Sequence, residues 1–386
     1  MTRVCIIRQH YYNMTRNLRR NAEALVSQGY EVDVICQRGK AQKSRETLNG
    51  VNVYRLPVEH HRGKVHQYFF DYAIFFFLAF FTLGWRSLRK RYRVVEVETM
   101  PDFLVFATLI PRIFGAKVIL YMFENIPWLF ASTFNVGSRH PGVKLLRLIS
   151  KVSASYAHQV IVSDGVHHQK SVEGLGIPSE KITLVYNVPD ENIFSVPRLA
   201  VSTGETTFRA LVLSSLLPRY GVETMVRAVP RLLEDIPNLE VYLVGDGESR
   251  PKLEELARRL KVHRYIHFVG YRPQEEVPNY IAQADVTVAP MVADVGLPNK
   301  IFDYFAMGKP CIASALPSLE MAFGGSCVSF FTPGNDVELA ARILELYLDP
   351  QKRIALGAQG HVFYEERRWS VMKNKYLGVY EKCLQR

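Results

Sequence analysis

Short apolar runs recur along the chain, each followed by a Gly-containing turn and then by a segment of helical period. VCIIRQ predicts a strand, RNLRRNAEALVSQGY a helix stopped at Gly29, and EVDVIC a second strand. In that helix Leu18, Ala22 and Leu25 share one face. Residues 38–50 are polar, contain Gly39 and Gly50, and predict a surface loop; VNVYRLP is a short strand stopped by Pro57. VVEVE, an apolar helix over residues 102–114 and AKVILYMFE make a further strand–helix–strand step. A helix over residues 141–156, the strand HQVIVSD, a helix in VHHQKSVEGLGI and the run KITLVYNVPDENIF close the first half.

The second half begins with FRALVLSSLL and repeats the same unit in LEVYLVGDGESRPKLEELARRL, YIHFVGYRPQEEVPNYIAQADVTVAP and GLPNKIFDYFAMGKPCIAS. Residues 351–386 have a helical pattern with Trp369, Tyr376, Leu377 and Tyr380 as apolar contacts. Strands alternating with helices predict parallel sheets, whose ligands bind where strand C-termini meet helix N-termini. At 386 residues the chain is too long for one ordinary core. Residues 187–204 are polar and hold Pro189 and Pro197, so the linker is expected there. The expected fold class is therefore α/β, two doubly wound parallel-sheet domains across a cleft. The expected domains are 1–195 and 205–365, with 366–386 a terminal helix packing back on the first.

The most apolar stretch, YFFDYAIFFFLAFFTLGW at 68–85, is bounded by Asp71 and Arg86 and is short for a membrane span. The basic cluster RSLRKRYR follows. Two readings stay open: a membrane-surface helix beside basic residues, or a core helix ending in a solvated basic turn. A formal net charge of +11 favours anionic partners, whether nucleic acid, a membrane surface or a phosphorylated substrate. No zinc finger, basic heptad or aromatic RNA-binding motif is visible, which disfavours nucleic acid. Five scattered cysteines form no CxxC pair. They predict inert strand residues in a reducing compartment, hence a cytoplasmic location; no signal peptide is read before Val4.

The VGDG turn at 244–247 predicts close approach of backbone to a ligand at Gly245, but it is not a GxGxxG fingerprint, which disfavours a nicotinamide dehydrogenase. In GLPNKIFDYFAMGKP, a helix starting near Asn299 after Pro298 would offer its amides and Lys300 to a diphosphate, and Asp303, one turn on, could accept from ribose hydroxyls. His10 after the first strand is a candidate polar contact. His60 with His61, and His167 with His168, are adjacent pairs without a third ligand, so no metal site is read.

The spacing of VGDG, FVG, AP and FDYFAMGKP resembles the family 4 retaining glycosyltransferases, in the branch that builds bacterial surface polysaccharides and glycolipids; the likeness spans nearly the whole chain. The resemblance implies a GT-B fold and a metal-independent transfer, with retention, from a nucleoside-diphosphate sugar, UDP-sugar before GDP-sugar, and no separate cofactor. A lipid-linked glycan as acceptor would explain the aromatic stretch and RSLRKRYR, and with them a peripheral place on the inner membrane face; a soluble acceptor stays open. The resemblance places Asp303 on the donor ribose, Lys300 and Arg219 on the diphosphate, and Tyr271 and Arg272 beside the base. The family's Arg and Lys of the first loop fall on Ser215 and Tyr220, its first acid on Val295, and its His on Phe123, leaving Glu124 and Asn125 as candidate catalytic polar groups. These departures keep two alternatives open: a non-catalytic sugar-nucleotide binder and a GT-B-like sugar-nucleotide epimerase.

Overall fold

The structure, a computed structural model, describes residues 1–12, 16–40, 42–58, 65–134, 136–163, 165–194 and 207–385; the side chains of 16, 65–69 and 167 are outside that description. His60, His61 and most of the expected linker therefore lie outside the described residues. The chain forms two units: Met1–Asn187 with Met372–Arg386, and Val188–Val371.

The first unit runs β1 (Arg3–Tyr11), α1 (Arg16–Ser27), β2 (Glu31–Gln37), β3 (Arg45–Leu48), β4 (Val51–Leu56), α2 (Val65–Arg89) and β5 (Val94–Glu98). A 3₁₀ turn over Asp102–Thr108 enters α3 (Leu109–Ile113), followed by β6 (Lys117–Met122), α4 (Ile126–Phe134), α5 (Pro141–Tyr156), β7 (Gln159–Val162), α6 (Gly165–Glu173) and β8 (Ile182–Leu184). The sheet order is β3-β4-β2-β1-β5-β6-β7-β8, parallel except at β3–β4. Strands such as VVEVE are buried at every position, as expected of a parallel sheet covered on both faces.

Three elements depart from the sequence reading. Part of the expected loop at 38–50 is strand β3, returned on β4 by Asn49–Gly50, whose φ values of 47° and 81° both suit a type I′ hairpin turn. The expected helix over 102–114 is split, its first part wound as a 3₁₀ turn with Asp102 buried against Ser150. Finally, α2 continues past Trp85 to Arg89, so the basic cluster begins inside its last turn.

The second unit runs β9 (Phe208–Leu213), α7 (Val222–Asp235), β10 (Leu239–Val244), α8 (Arg250–Arg259), β11 (Ile266–Gly270), α9 (Val277–Gln283), β12 (Val286–Ala289), α10 (Asn299–Ala306), β13 (Cys311–Ser314), α11 (Pro317–Phe323), β14 (Ser329–Phe331), α12 (Asp336–Leu348) and α13 (Pro350–Glu365). Its six strands are all parallel, in the order β11-β10-β9-β12-β13-β14. The last helix, α14 (Trp369–Gln385), belongs to the first unit from Met372 onward and buries Tyr376 and Tyr380 there. Both units are doubly wound α/β sheets.

Candidate functional site

In the second unit the strand order reverses between β9 and β12, the position where open parallel sheets bind ligands. Two loops leave this point, 214–221 and 290–298. The amides of Val292 and Ala293 both donate to the carbonyl of Arg219, at 3.0 and 3.3 Å. Gly221 has φ +61°, and a Cβ there would lie 2.0 Å from the Pro290 carbonyl oxygen, so only glycine lets the loops close. Tyr304 on α10 accepts from the Leu213 amide at 2.8 Å and pins the helix to β9.

This frame brings two cations onto one ring. Lys300 Nζ lies 5.0 Å from the Tyr220 ring centre, and the Arg219 guanidinium carbon 5.1 Å from it. Arg219 Nε is buried with no hydrogen-bond acceptor among the described residues. Burial holds the Lys300 ammonium below the ordinary lysine range, the charge of Arg219 adds to this, and Asp303 opposes it. Asp303, buried on the inner side of α10, is thus close enough for its charge to act on Lys300. Asn299 is exposed in the first turn of the helix, which Pro298 precedes. Two neighbouring cations, one orphaned buried donor and a helix N-terminus form a site that an anion would relieve.

The glycines of VGDG are required by the packing of the neighbouring loop. A Cβ at Gly245 would sit 1.9 Å from the Ser214 carbonyl oxygen, and one at Gly247 would sit 2.4 Å from that of Leu216. The Leu216 amide donates to Asp246 O and the Ser249 amide to Leu216 O, at 3.0 and 2.9 Å. These glycines admit the neighbouring loop, and so position Ser215, exposed upon it. The Gly245 amide also donates to Gly270 O at 2.9 Å, which joins the end of β10 to that of β11. Just beyond, Tyr271 is 76% exposed, and Arg272 donates to the Tyr280 hydroxyl at 3.2 Å. Asp294, the acid next to Val295, accepts from the Ser318 amide in the first turn of α11 and so serves as its cap.

In the first unit the switch point lies between β1 and β5. His10, exposed near the end of β1, accepts at Nδ1 from the Tyr11 amide at 2.8 Å. Glu124 is exposed just past β6. Asn125 is buried: it accepts from the Trp128 amide at 3.3 Å, capping α4, and donates to Ser171 Oγ at 2.9 Å on α6. Phe123 stacks on Tyr121 with centroids 4.2 Å apart, and the Arg8 guanidinium lies 4.3 Å over its ring.

Sequence reasoning missed Arg8 and the acids it meets. Arg8 pairs with Glu98 at 2.8 Å and donates to Asn17 at 3.0 Å; Glu98 and Glu96 are buried two residues apart on β5. The signal was available, because glutamates inside a wholly buried strand demand partners. His168 is buried in α6, the side chain of His167 is outside the described residues, and no cluster suited to a metal occurs among the described residues.

Residues 14–188 match the family model of the glycosyl transferase 4-like domain, and residues 207–349 match that of glycosyl transferases group 1. The chain belongs to the group 1, family 4-type glycosyltransferases. This glycosyltransferase is 25% identical over 314 residues to an uncharacterized glycosyltransferase of Methanocaldococcus jannaschii, covering 77% of this chain and 75% of that one. It is 29% identical over 177 residues to the GDP-mannose-dependent monoacylated alpha-(1-6)-phosphatidylinositol monomannoside mannosyltransferase of Corynebacterium glutamicum. That second match spans 43% of this chain and 45% of the relative, under half of its length. Among solved structures it resembles sucrose-phosphate synthase of Thermosynechococcus elongatus, with a TM-score of 0.80 and 17% identity over 100% of both chains. It also resembles the Anabaena HepE protein in complex with UDP and glucose, with a TM-score of 0.73 and 17% identity over 99% of both. The fold of this glycosyltransferase is GT-B.

Proposed function

We propose that this glycosyltransferase moves a sugar, with retention, from a nucleoside-diphosphate donor to a lipid-linked glycan acceptor. The observation that carries the donor half is the pair Arg219 and Lys300 on Tyr220, at the switch point of the second unit. A diphosphate there meets two cations and the α10 N-terminus, and Asp303 is the acid one turn along for the ribose hydroxyls. In the reaction, the bond from the anomeric carbon to the β-phosphate oxygen breaks and the acceptor hydroxyl oxygen bonds to that carbon. The hydroxyl's proton leaves with the diphosphate. Negative charge grows on the departing oxygen, so preorganised cations at that oxygen stabilise the transition state more than the ground state. Tyr271 and Arg272 border the base in this reading. His10 and Glu124, both at strand C-termini of the first unit, are its exposed candidates for contacts to the sugars. Asn125, whose amide is engaged in capping α4 and bonding Ser171, holds the start of α4 in place. Turnover is expected to continue in excess chelator.

UDP-sugar is the first donor to test, as the HepE structure holds UDP. The Corynebacterium relative, which uses GDP-mannose and acts on a phosphatidylinositol mannoside, favours a second donor reading and supports a lipid acceptor. A thermal-shift panel of UDP-, GDP-, ADP- and dTDP-sugars on wild type and Asp303→Ala tests both. Binding to the native state raises its melting temperature by mass action. A shift with one nucleotide class that is lost in the variant supports the site and names the base. No shift with any donor removes this reading. Donor binding without transfer to any acceptor would mark a non-catalytic binder, and interconversion of the sugar with no acceptor present would mark an epimerase.

A further inference from the structure

We propose that α2 and its neighbours form a docking surface for an anionic lipid bilayer. A soluble helix normally turns its apolar stripe inward and its polar face outward. In α2 both faces are apolar. Phe75, Ala79 and Leu83 are buried in the core of the first unit. Opposite them Phe70, Ile74, Phe77, Phe81, Trp85 and Leu88 follow helical spacing, and each is 48–67% exposed. Isolated exposed apolar residues need no explanation, whereas a six-residue stripe along about five turns does.

The stripe has neighbours of the same kind. A Cβ on Gly84 would lie 2.5 Å from Ile110, so α3 lies directly against α2, and α3 and the residue after it expose Leu109, Ile113 and Phe114. α5, which packs on the same 3₁₀ turn as α2, exposes Leu145, Leu148 and Val152, interleaved with exposed Lys144, Arg147 and Lys151.

Charge selects the occupant. Between Val65 and Arg93 the one acid is Asp71, which is buried, and α5 has none. Arg86 is turned inward on Asp33 at 2.6 Å, while Arg89, Arg91 and Arg93 are exposed. The Arg89 guanidinium lies 4.3 Å over the Trp85 ring, an aromatic and a cation at the boundary of the stripe. Interfacial helices place apolar and aromatic side chains at the acyl boundary and cations at the headgroups. Cores of protein interfaces, in contrast, are depleted in lysine. No described helix is long and apolar enough to cross a membrane, so α2 lies on the bilayer and does not span it. The surface deepens the lipid-linked acceptor reading, and rests on it for its purpose, by naming the face that meets the acceptor's membrane.

The test is co-flotation of the full chain with vesicles of phosphatidylcholine alone and of phosphatidylcholine mixed with phosphatidylglycerol, at low and high salt. Wild type is expected to float with the anionic vesicles, less so at high salt, and Phe77→Ser/Phe81→Ser/Trp85→Ser is expected to bind roughly tenfold less or weaker still. Wild type left behind by every vesicle, or a triple variant that binds as well as wild type, overturns the proposal. A wild-type dimer that the triple variant dissociates, with no vesicle binding, overturns it in favour of a protein interface. Should the triple variant misfold, Trp128→Phe/Trp369→Phe leaves Trp85 as sole tryptophan. Its emission is expected to shift to the blue with anionic vesicles, and unchanged emission overturns the proposal. Vesicle binding needs no donor, so a chain that binds vesicles but transfers no sugar defeats the transfer reading alone, and the reverse defeats the surface alone.

Discussion

Lys300 carries a charge that its surroundings make costly until an anion arrives. Burial and Arg219 hold its pKa down in the donor-free protein, and a bound diphosphate would restore the protonated form. Binding therefore takes up a proton once the pH exceeds the donor-free pKa, so affinity for the nucleoside diphosphate falls as pH rises through that value, which lies below the usual lysine pKa. Titration calorimetry from neutral to alkaline pH checks this. Lys300→Arg, charged throughout, should flatten the profile, and an equally steep profile in the variant would remove Lys300 from the site. Lys300→Met at neutral pH should cost about 1.5–3 kcal/mol of donor binding, roughly ten- to a hundredfold in Kd. At this scale the sequence was partly legible. Lys300 and Asp303 stood out on their helix, and the family resemblance put Arg219 with Lys300, but the Tyr220 ring that both cations share did not stand out. Arg219 and Tyr220 are about eighty residues from Lys300 in sequence, and the loops are brought together by the hydrogen bonds from Val292 and Ala293 to Arg219 O and by the close approach at Gly221.

The elements around the site are held by close approaches that depend on small residues. On α13 a Cβ at Gly357 would lie 2.3 Å from the Gly308 carbonyl oxygen at the end of α10, with backbone on the far side of the clash. Gly357→Ala must therefore separate the two helices. Overpacking of this kind typically costs about 1–3 kcal/mol. A melting temperature lower by several degrees and weaker donor binding are expected together, because α10 carries Lys300 and Asp303. An unchanged melting temperature would show that the packing is looser than these distances. Asn125→Ala should lose the α4 cap and the bond to Ser171 for about 1 kcal/mol, measured by chemical denaturation. The alternation of strand and helix was readable over most of the chain because a strand buried on both faces is a continuous apolar run, as VILYM of β6 and LVL of β9 illustrate. The hairpin at Asn49–Gly50 escaped, although its dipeptide is the strongest short hairpin signal, because RETL lacks apolar alternation. At the VGDG glycines the need for close approach was legible, but not that the backbone of the 214–221 loop comes so near.

At the scale of the whole chain, the polypeptide leaves the first unit at Asn187 and returns to it at Met372. The returning half of α14 is fastened by polar contacts inside an apolar layer. Tyr380 donates to Glu96 at 3.0 Å, Tyr376 lies 3.2 Å from the Tyr380 hydroxyl, and Met372 accepts from the Tyr186 amide. Glu96 is fully buried beside Glu98, and burial first, then the charge of Glu98, hold its carboxyl well above the ordinary range. Glu98 is raised by burial too, with Arg8 opposing. A carboxyl whose folded pKa is raised contributes stability that is complete below the unfolded glutamate value of about 4.3 and is lost as pH rises toward the folded value. Unfolding free energy should therefore decline on going from mildly acidic to alkaline pH, by the part of this cost that Arg8 does not offset. Glu96→Gln retains an acceptor for Tyr380 without the titration, so it should flatten this decline and melt at or above wild type at alkaline pH. Glu96→Ala, which removes the Tyr380 hydroxyl's carboxylate acceptor and opens a cavity, should destabilise at every pH. Denaturant titrations across the pH range separate the cases. Wild type and Glu96→Gln with parallel profiles would mean that Glu96 does not change its protonation state over this range, and would remove the pH argument.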